Sequence, residues 1–400
     1  MKNNLKLPFY LAAQSIKRGR KWTMVLTIIL MAVAFVNLIF VSALFNGIVE
    51  GGNQQTIDMM SGDVYVTPKS GSMFIDNKDA LINNIKSIDG VSAVTSGYQV
   101  PVRIERNSIS GGWITLAINP AEYSKVIGIQ NKMFTGEYLN ENDDNQIILG
   151  RQIAGGDGVE LDAASLKGAQ VGDKVAVTLN GVQKSFTVKG IFYTKFLESD
   201  DQAYITQTAL KSFISDVSFD NASVIKIKTV ASKRNLVLEA VKSVDSSLNV
   251  HLWTEAAGIT KSASKSFVSI NIILTIVGTV VAAATIFIVI YVDIINRRRQ
   301  IGILRAIGIR PAIITASYVI LAIFYVIMGI ALGSLLFYFA LSPFFKAHPI
   351  ELPLVDVVLN LSQADYILRI EIVSIAAAVS GLIPAIVVTR TKMIDAIIGR

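Results

Sequence analysis

The amino-acid sequence predicts an α-helical membrane protein with four transmembrane helices and one α/β extracytoplasmic domain, in which βαβ units carry a β-rich insertion. Three observations predict it. Of 400 residues, 52% are hydrophobic and 17% are charged, with a mean hydropathy of +0.51, a composition rare among soluble domains. The apolar residues are segregated into four runs without a charged side chain, Trp22–Val49, Phe267–Val292, Pro311–Phe345 and Ile372–Thr389. The excess of positive charge is segregated too: three short segments that adjoin those runs hold 14 basic residues against 2 acidic ones. The net charge of +7 is therefore a topology signal, which argues against nucleic acid as a partner.

Each run reaches the roughly 18 apolar residues that a spanning helix needs. Residues 1–21 form a basic amphipathic leading segment with Lys2, Lys6, Lys17, Arg18, Arg20 and Lys21 and no acidic residue. The first span is placed at 22–47. It is too long for the apolar core of a signal peptide and no small-residue cleavage pattern follows at Phe45–Glu50, so it reads as a retained anchor. The second span is 267–292. The loop after it, 293–310, holds Arg297, Arg298, Arg299, Arg305 and Arg310 against Asp293. The third apolar run exceeds a bilayer core of about 30 Å, so it tilts or projects before Pro343, and the span is set at 311–342. An outer loop at 343–370 leads to the fourth span, 371–389, and a tail, 390–400, with Arg390, Lys392 and Arg400 against Asp395. Positive charge marks the cytoplasmic side. Both termini and the 293–310 loop are therefore placed in the cytoplasm, residues 48–266 outside it, and the chain in the cytoplasmic (inner) membrane. No Asp, Glu, Lys or Arg is expected at depth in the spans, which argues against an ion pathway.

Residues 48–266 have globular patterning. Asp63–Thr67 reads as a strand, Lys78–Ile88 as a helix with Leu81, Ile82, Ile85 and Ile88 on one face, and Val91–Val100 as a strand. The order recurs at Ser223–Thr229, Lys233–Val244 and Leu248–Trp253, and the echo of Ile-Lys-Ser-Ile-Asp in Val-Lys-Ser-Val-Asp is compatible with duplication. Between these βαβ units, Gly111–Ile118 and Asp201–Ile205 read as strands. Asn180-Gly181 between alternating runs reads as a two-residue hairpin.

Catalytic chemistry is not apparent. The two histidines, His251 and His348, have no ligand-spaced partner and read as packing or surface residues. The pairs Asp143-Asp144 and Asp200-Asp201 read as solvated turns. No nucleophile elbow, zinc-binding helix or Ser-x-x-Lys motif occurs, nor a phosphate-binding Gly-x-x-x-x-Gly-Lys-Ser/Thr loop. The expected metal set is empty, as is the expected set of catalytic residues. With no cysteine, disulfides and thiolate metal sites are excluded. Gly329 with Gly333, and Gly278 with Ala282, are spaced for close helix packing. Asn37 and Asn271 read as interhelix hydrogen-bonding groups or as lining of a cargo cavity.

The most informative segment is Arg297–Gly308, Arg-Arg-Arg-Gln-Ile-Gly-Ile-Leu-Arg-Ala-Ile-Gly. As a helix it presents Ile301, Leu304 and Ile307 on one side, flanked by Arg298 and Arg305. Such a helix lies on an anionic membrane surface or docks a partner. It resembles the Arg-x-x-Glu-Ile-Gly-x-x-Arg-Ala-x-Gly coupling region of the permease family that contains MacB, LolC, LolE and FtsX. Further stretches are similar to that family: Ser15–Arg20, Met60–Pro68, Ile148–Ala154, Val171–Val177, His251–Glu255, Gly381–Ala385 and Met393–Ile397.

The resemblance implies the permease subunit of an ABC transporter, closest to the lipoprotein-releasing LolC/LolE type, moving lipoprotein or another amphiphilic cargo. An FtsX-like regulator without cargo is the alternative. ATP and magnesium would sit on a separate ATP-binding cassette subunit, so this chain is expected to be non-catalytic and to carry no cofactor. A second permease copy, in a homodimer or heterodimer, is the other implied partner. Contact with the ATPase is implied for Arg298, Arg299, Gln300, Ile301, Leu304 and Arg305. Gln300 stands where many relatives carry Glu, and Met393 replaces a usual Pro. The tight hairpin at Asn180-Gly181 leaves no room for the longer hook with which LolC recruits a chaperone.

Overall fold

The computed structural model describes residues 6–19, 21–159, 162–214, 220–245, 247–256, 258–352 and 356–390. Lys2, Arg20, Lys392, Arg400 and the Met393–Ile397 motif lie outside the described residues, as do the side chains of Arg298 and Arg390. In chain order the principal helices are α1 (Lys6–Arg18), α2 (Lys21–Thr56), α3 (Lys78–Lys86), α4 (Arg234–Val244), α5 (Gly258–Asn296), α6 (Arg298–Ala306), α7 (Pro311–Leu336) and α8 (Gln363–Arg390). The chain divides into a helical unit, Met1–Glu50 with Ser264–Glu351 and Asp356–Arg400, and a sheet unit, Gly51–Ala263 with Leu352–Val355.

In the helical unit, four helices among the described residues are long and apolar enough to cross a membrane: Lys21–Ser61, Ser266–Asn296, Pro311–Ala347 and Gln363–Pro384. Their outward faces are apolar as well as their inward ones. Val25, Ile29 and Val33 of α2 and Ile273, Ile276 and Val280 of α5 are exposed, as a lipid-facing surface requires. The inward residues, including Phe35, Ile39, Ile290, Leu321, Val326 and Val373, form one core. Small residues set how closely α2 and α7 approach. A Cβ on Gly329 would lie 2.6 Å from Met31 Cβ and 3.2 Å from the Met31 carbonyl carbon, and one on Gly333 would lie 3.0 Å from the Ala32 carbonyl oxygen. Backbone cannot yield as a side-chain tip can. Gly329→Val is therefore expected to destabilise the helical unit by about 1–3 kcal/mol, read as a lower thermal midpoint of the purified protein in detergent. Gly278 approaches α2 differently, against the flexible end of Leu38 at 2.6 Å, and Ala282 is fully buried.

Helical structure continues past Pro343, where the sequence predicts the end of the third span. A π turn, Phe337–Leu341, joins α7 to a short helix, Ser342–Ala347. Pro343 sits in that helix's first turn, directly after the π turn. The fourth helix starts at Gln363, ahead of the uncharged stretch. Ser362 and Asp365 explain the early start: the Asp365 N–H donates to Ser362 Oγ at 3.0 Å, and that hydroxyl donates to Asp365 Oδ2 at 2.6 Å. A Ser-x-x-Asp pair of this kind fixes a helix N-terminus.

The sheet unit contains strands β1 (Val64–Thr67), β2 (Val91–Arg106), β3 (Ile109–Ile118), β4 (Met133–Gly136), β5 (Gln146–Gly150), β6 (Lys174–Leu179), β7 (Val182–Phe192), β8 (Gln202–Thr206), β9 (Val224–Thr229) and β10 (Asn249–Leu252). The two βαβ units, β1-α3-β2 and β9-α4-β10, interlock. Their strands lie in the order β10-β1-β9-β2, all antiparallel, the split βαβ arrangement. Val64, Val66, Ile225 and Ile227 alternate inward against Ile82 and Ile85 of α3 and Val237 and Val241 of α4. The β-rich insertion closes on itself: β6 pairs with both β7 and β2, so β2-β3-β8-β5-β7-β6 form a ring around Ile104, Val177, Phe186 and Val188. The 16-residue β2 belongs to both parts, so they share one backbone support. Asn180 and Gly181 turn the β6–β7 hairpin with φ of 49° and 82°, the positive pair a tight two-residue turn demands.

Candidate functional site

The helix α6 is set by its termini. The Arg297 guanidinium pairs with Asp293 at 3.0 Å, and Gly308 ends the helix at φ 96°, with its N–H on the Arg305 carbonyl and the Ile309 N–H on that of Leu304. A left-handed glycine satisfies carbonyls that the helix end leaves free. Ile301 is buried in the core of the helical unit and Leu304 packs against that core. The side expected to meet an ATPase through these two residues thus faces inward. Exposed instead are Arg299, Gln300, Ile303 and Ile307, with Ile303 49% and Ile307 70% accessible. Arg305 is half-buried. Gln300 and Leu304 also line a cavity of about 880 Å³ with Gln14, Arg18, Asn296 and Arg297.

Asn271 does meet another helix, through a residue that sequence reasoning missed. Because α8 begins early, Arg369 lies within a candidate span and is buried, which corrects the expectation of spans free of charged residues. Its guanidinium donates to Thr275 Oγ1 at 2.6 Å, Ser42 Oγ at 3.3 Å and Asn271 Oδ1 at 3.5 Å, while its Nε–H is buried with no partner among the described residues. Neutral oxygens from α2 and α5 therefore hold a cation of α8. Asn37 is exposed. The signal for Arg369 was the Ser362-x-x-Asp365 pair, which places the helix start upstream of it.

In the sheet unit, the end of α2 and the π turn Ile57–Ser61 are fastened from several directions. The Gly128 N–H donates to the Asp58 carbonyl at 2.7 Å, Ser199 Oγ to the Met59 carbonyl at 3.3 Å, and Gln55 Nε2 to the Thr194 carbonyl at 3.1 Å. Lys228 pairs with Asp58, and Lys226 donates to the Met60 carbonyl at 2.5 Å. Of the acidic pairs taken for solvated turns, Asp144 and Asp201 are exposed, but Asp143 and Asp200 take part in the packing. Asp200 is buried and accepts from Thr194 N and Oγ1, both at 2.8 Å, and Asp143 pairs with Lys189 at 2.7 Å. His251 stacks on Tyr65 and bridges Thr67 Oγ1 at 3.2 Å and Glu255 at 2.6 Å, and its ring holds the Glu255 carboxyl below its ordinary pKa. His348 is exposed and stacks on Phe344. Among the described residues no three His, Cys, Asp or Glu side chains gather as metal ligands.

Lys226 is the unusual group. It is 7% exposed, its third-strand neighbours are Tyr65 and Thr95, and its Nζ donates to Tyr123 Oη at 2.8 Å. Burial pushes its pKa down to about 7. An unfolded lysine titrates near 10.4. Between about pH 7 and that value the unfolded chain binds the extra proton, so the native state gains stability as pH rises. Lys226→Met is expected to flatten this part of the stability profile, by up to about 1.4 kcal/mol per pH unit, measured by denaturant unfolding from pH 6 to pH 10.

Four apolar helices, a basic amphipathic helix between two of them and a folded domain of split βαβ design define a multi-span membrane protein with an extracytoplasmic domain. The family model described as MacB-like periplasmic core domain matches residues 24–246, and that described as FtsX-like permease C-terminal matches residues 272–393. The chain belongs to the MacB/FtsX family of ABC transporter permeases. Among solved structures it is similar to the periplasmic region of MacB from Actinobacillus actinomycetemcomitans, with 14% identity over 52% of this chain and 94% of that one at a TM-score of 0.36. It is similar also to the extracellular domain of the noncanonic ABC-type transporter YknZ from Gram-positive bacteria, with 15% identity over 47% of this chain and 97% of that one at a TM-score of 0.34. Comparison with curated proteins gives no match.

Proposed function

We propose that the chain is the permease of a transporter that uses ATP hydrolysed on a separate cassette subunit to move its extracytoplasmic domain and to extract lipoprotein or another amphiphile from the cytoplasmic membrane. The observation that carries this reading is α6. Its inner side is anchored through Ile301, and its outer side offers Arg299, Gln300, Ile303 and Ile307. A helix anchored on one side and apolar on the other transmits a push. In this reading both termini and α6 are cytoplasmic, as the positive-inside pattern requires, and two permease copies pair. Magnesium and ATP stay on the cassette subunits.

The second reading, an FtsX-like regulator that drives an extracellular hydrolase or sensor without moving cargo, is favoured by the fastening of residues 55–61 through Gln55, Asp58, Met59 and Met60. Movement of that segment would be passed to the whole sheet unit. Proteoliposomes holding the permease and its cassette ATPase separate the two. ATP-dependent release of a fluorescent triacylated lipopeptide to an external acceptor supports extraction. ATP turnover without any release, together with activation of a soluble extracellular hydrolase, would replace extraction by regulation.

A further inference from the structure

We propose that the cavity beside Lys226 in the sheet unit is a binding site for a small aliphatic carboxylate, a ligand distinct from any transported cargo. The cavity measures about 170 Å³. Lys226, Gln99, Gln202 and the hydroxyl residues Ser61, Tyr65 and Thr67 supply its polar side, and Met60, Leu116 and Val224 its apolar side. Gln99 is exposed while Lys226, Leu116 and Val224 are buried, so the cavity opens to the surface at Gln99 and deepens toward the cation and the apolar wall.

Among the described residues no carboxylate pairs with the Lys226 ammonium. The ammonium has three N–H groups, and the two partners seen, the Met60 carbonyl and the Tyr123 hydroxyl, are neutral. Neighbouring carboxylates are committed elsewhere: Asp58 to Lys228, Asp63 to Arg234 and Glu255 to His251. A buried cation without a counter-ion is costly, and an anion that reaches it removes that cost. The apolar wall selects among anions. Phosphate would leave Leu116 and Val224 uncovered, whereas an alkyl carboxylate covers them and presents two acceptor oxygens to Lys226 and the glutamine amides. Size follows from volume. A cavity of about 150 Å³ takes benzene, so this one admits about seven heavy atoms, the size of pentanoate. Because the same ammonium holds the Met60 carbonyl, a bound carboxylate keeps it protonated and keeps that bond to the end of the π turn.

Calorimetric titration of the full-length protein in nanodiscs tests the site, with empty nanodiscs as the blank. Pentanoate is expected to bind, with affinity rising about fourfold per methylene from acetate to pentanoate, the worth of burying each CH₂. Lys226→Met is expected to abolish binding. In the wild-type protein, pentanol, which has the tail without the charge, and inorganic phosphate, which has the charge without the tail, are expected to bind at least tenfold more weakly. Pentanoate binding that survives Lys226→Met overturns the proposal. So does pentanol binding as tight as pentanoate's, which would mean an apolar hole only, or phosphate binding as tight, which would mean unselective anion attraction. The pentanol and phosphate arms need no variant, so the proposal stays exposed even if Lys226→Met does not fold. None of these outcomes bears on whether the chain couples to an ATPase.

Discussion

Changing Ile303 and Ile307 together to arginine is expected to detach the cassette subunit while leaving the permease folded. Both side chains stand one turn apart on the exposed side of α6, at 49% and 70% accessibility, and make no contribution to the core around Ile301. Exposed isoleucines at a helix spacing of four form a narrow apolar ridge, and a partner groove that covers them removes both from water. Truncating one interface anchor costs about 2 kcal/mol or more, and a buried charge without a partner costs further. Association with the ATPase should therefore weaken at least a hundredfold, read by co-purification and by loss of ATP turnover in the complex. The comparison that gives the test its force is Ile301→Ala. That residue is 3% exposed inside the helical unit, so the same measurement should show ATPase still bound and the permease destabilised by about 2–5 kcal/mol. Were Ile301→Ala to release the ATPase and the double arginine variant to retain it, the face of α6 assigned to the partner would be the wrong one.

The difference between Ile301 and Ile303 also marks what the sequence could express. Periodicity located a helix at Arg297–Gly308 and an apolar side on it, but α6 carries apolar residues on both sides, Ile301 and Leu304 on one and Ile303 and Ile307 on the other. Which side is buried depends on α1, α2, α5 and α7, and no local pattern carries that information. The spans and the βαβ strands were legible because their periods are local: long uncharged runs in one case, alternation around Val64, Val66, Ile225 and Ile227 in the other. The interlocking order β10-β1-β9-β2 and the closure of the ring by β6 rest on pairings far apart in sequence. Arg369 stayed hidden for a different reason. Hydropathy finds the apolar centre of a helix, whereas its start is set by polar side chains such as Ser362 and Asp365. Lys226 was invisible because a lysine inside an alternating strand, Val-Ile-Lys-Ile-Lys-Thr, reads as the solvent side of a sheet edge. Only the packing of Tyr123 and the segment ending at Met60 turns that side into an interior.

Removing Arg234 should cost the sheet unit more than any other single loss of charge considered. Asp63 directly precedes β1, and its side chain is 1% exposed. One carboxylate oxygen accepts from Arg234 Nε at 2.6 Å and the other from the Thr229 N–H at 2.8 Å, so the pair ties α4 to the central strands. In Arg234→Met the carboxylate keeps the amide but loses the one counter-charge it has among the described residues, and it cannot turn to water. Breaking a buried pair from one side costs about 3–5 kcal/mol, and the partial exposure of the guanidinium, 26%, argues for the lower end of that range. Lys233→Met, one residue away, is the matched control. Its partner Asp89 is 89% exposed, its carboxyl is held below its ordinary pKa by that lysine, and water replaces the lysine when it is gone, so no resolved change in unfolding is expected. Asp63→Asn placed in the Arg234→Met background removes the stranded charge and should restore part of the stability. Chemical denaturation of the full-length protein, following Trp113 and Trp253 emission, reads all three. An Arg234→Met transition coinciding with that of Lys233→Met would mean that Asp63 finds solvent or a proton without cost, and that the pair positions α4 without holding it.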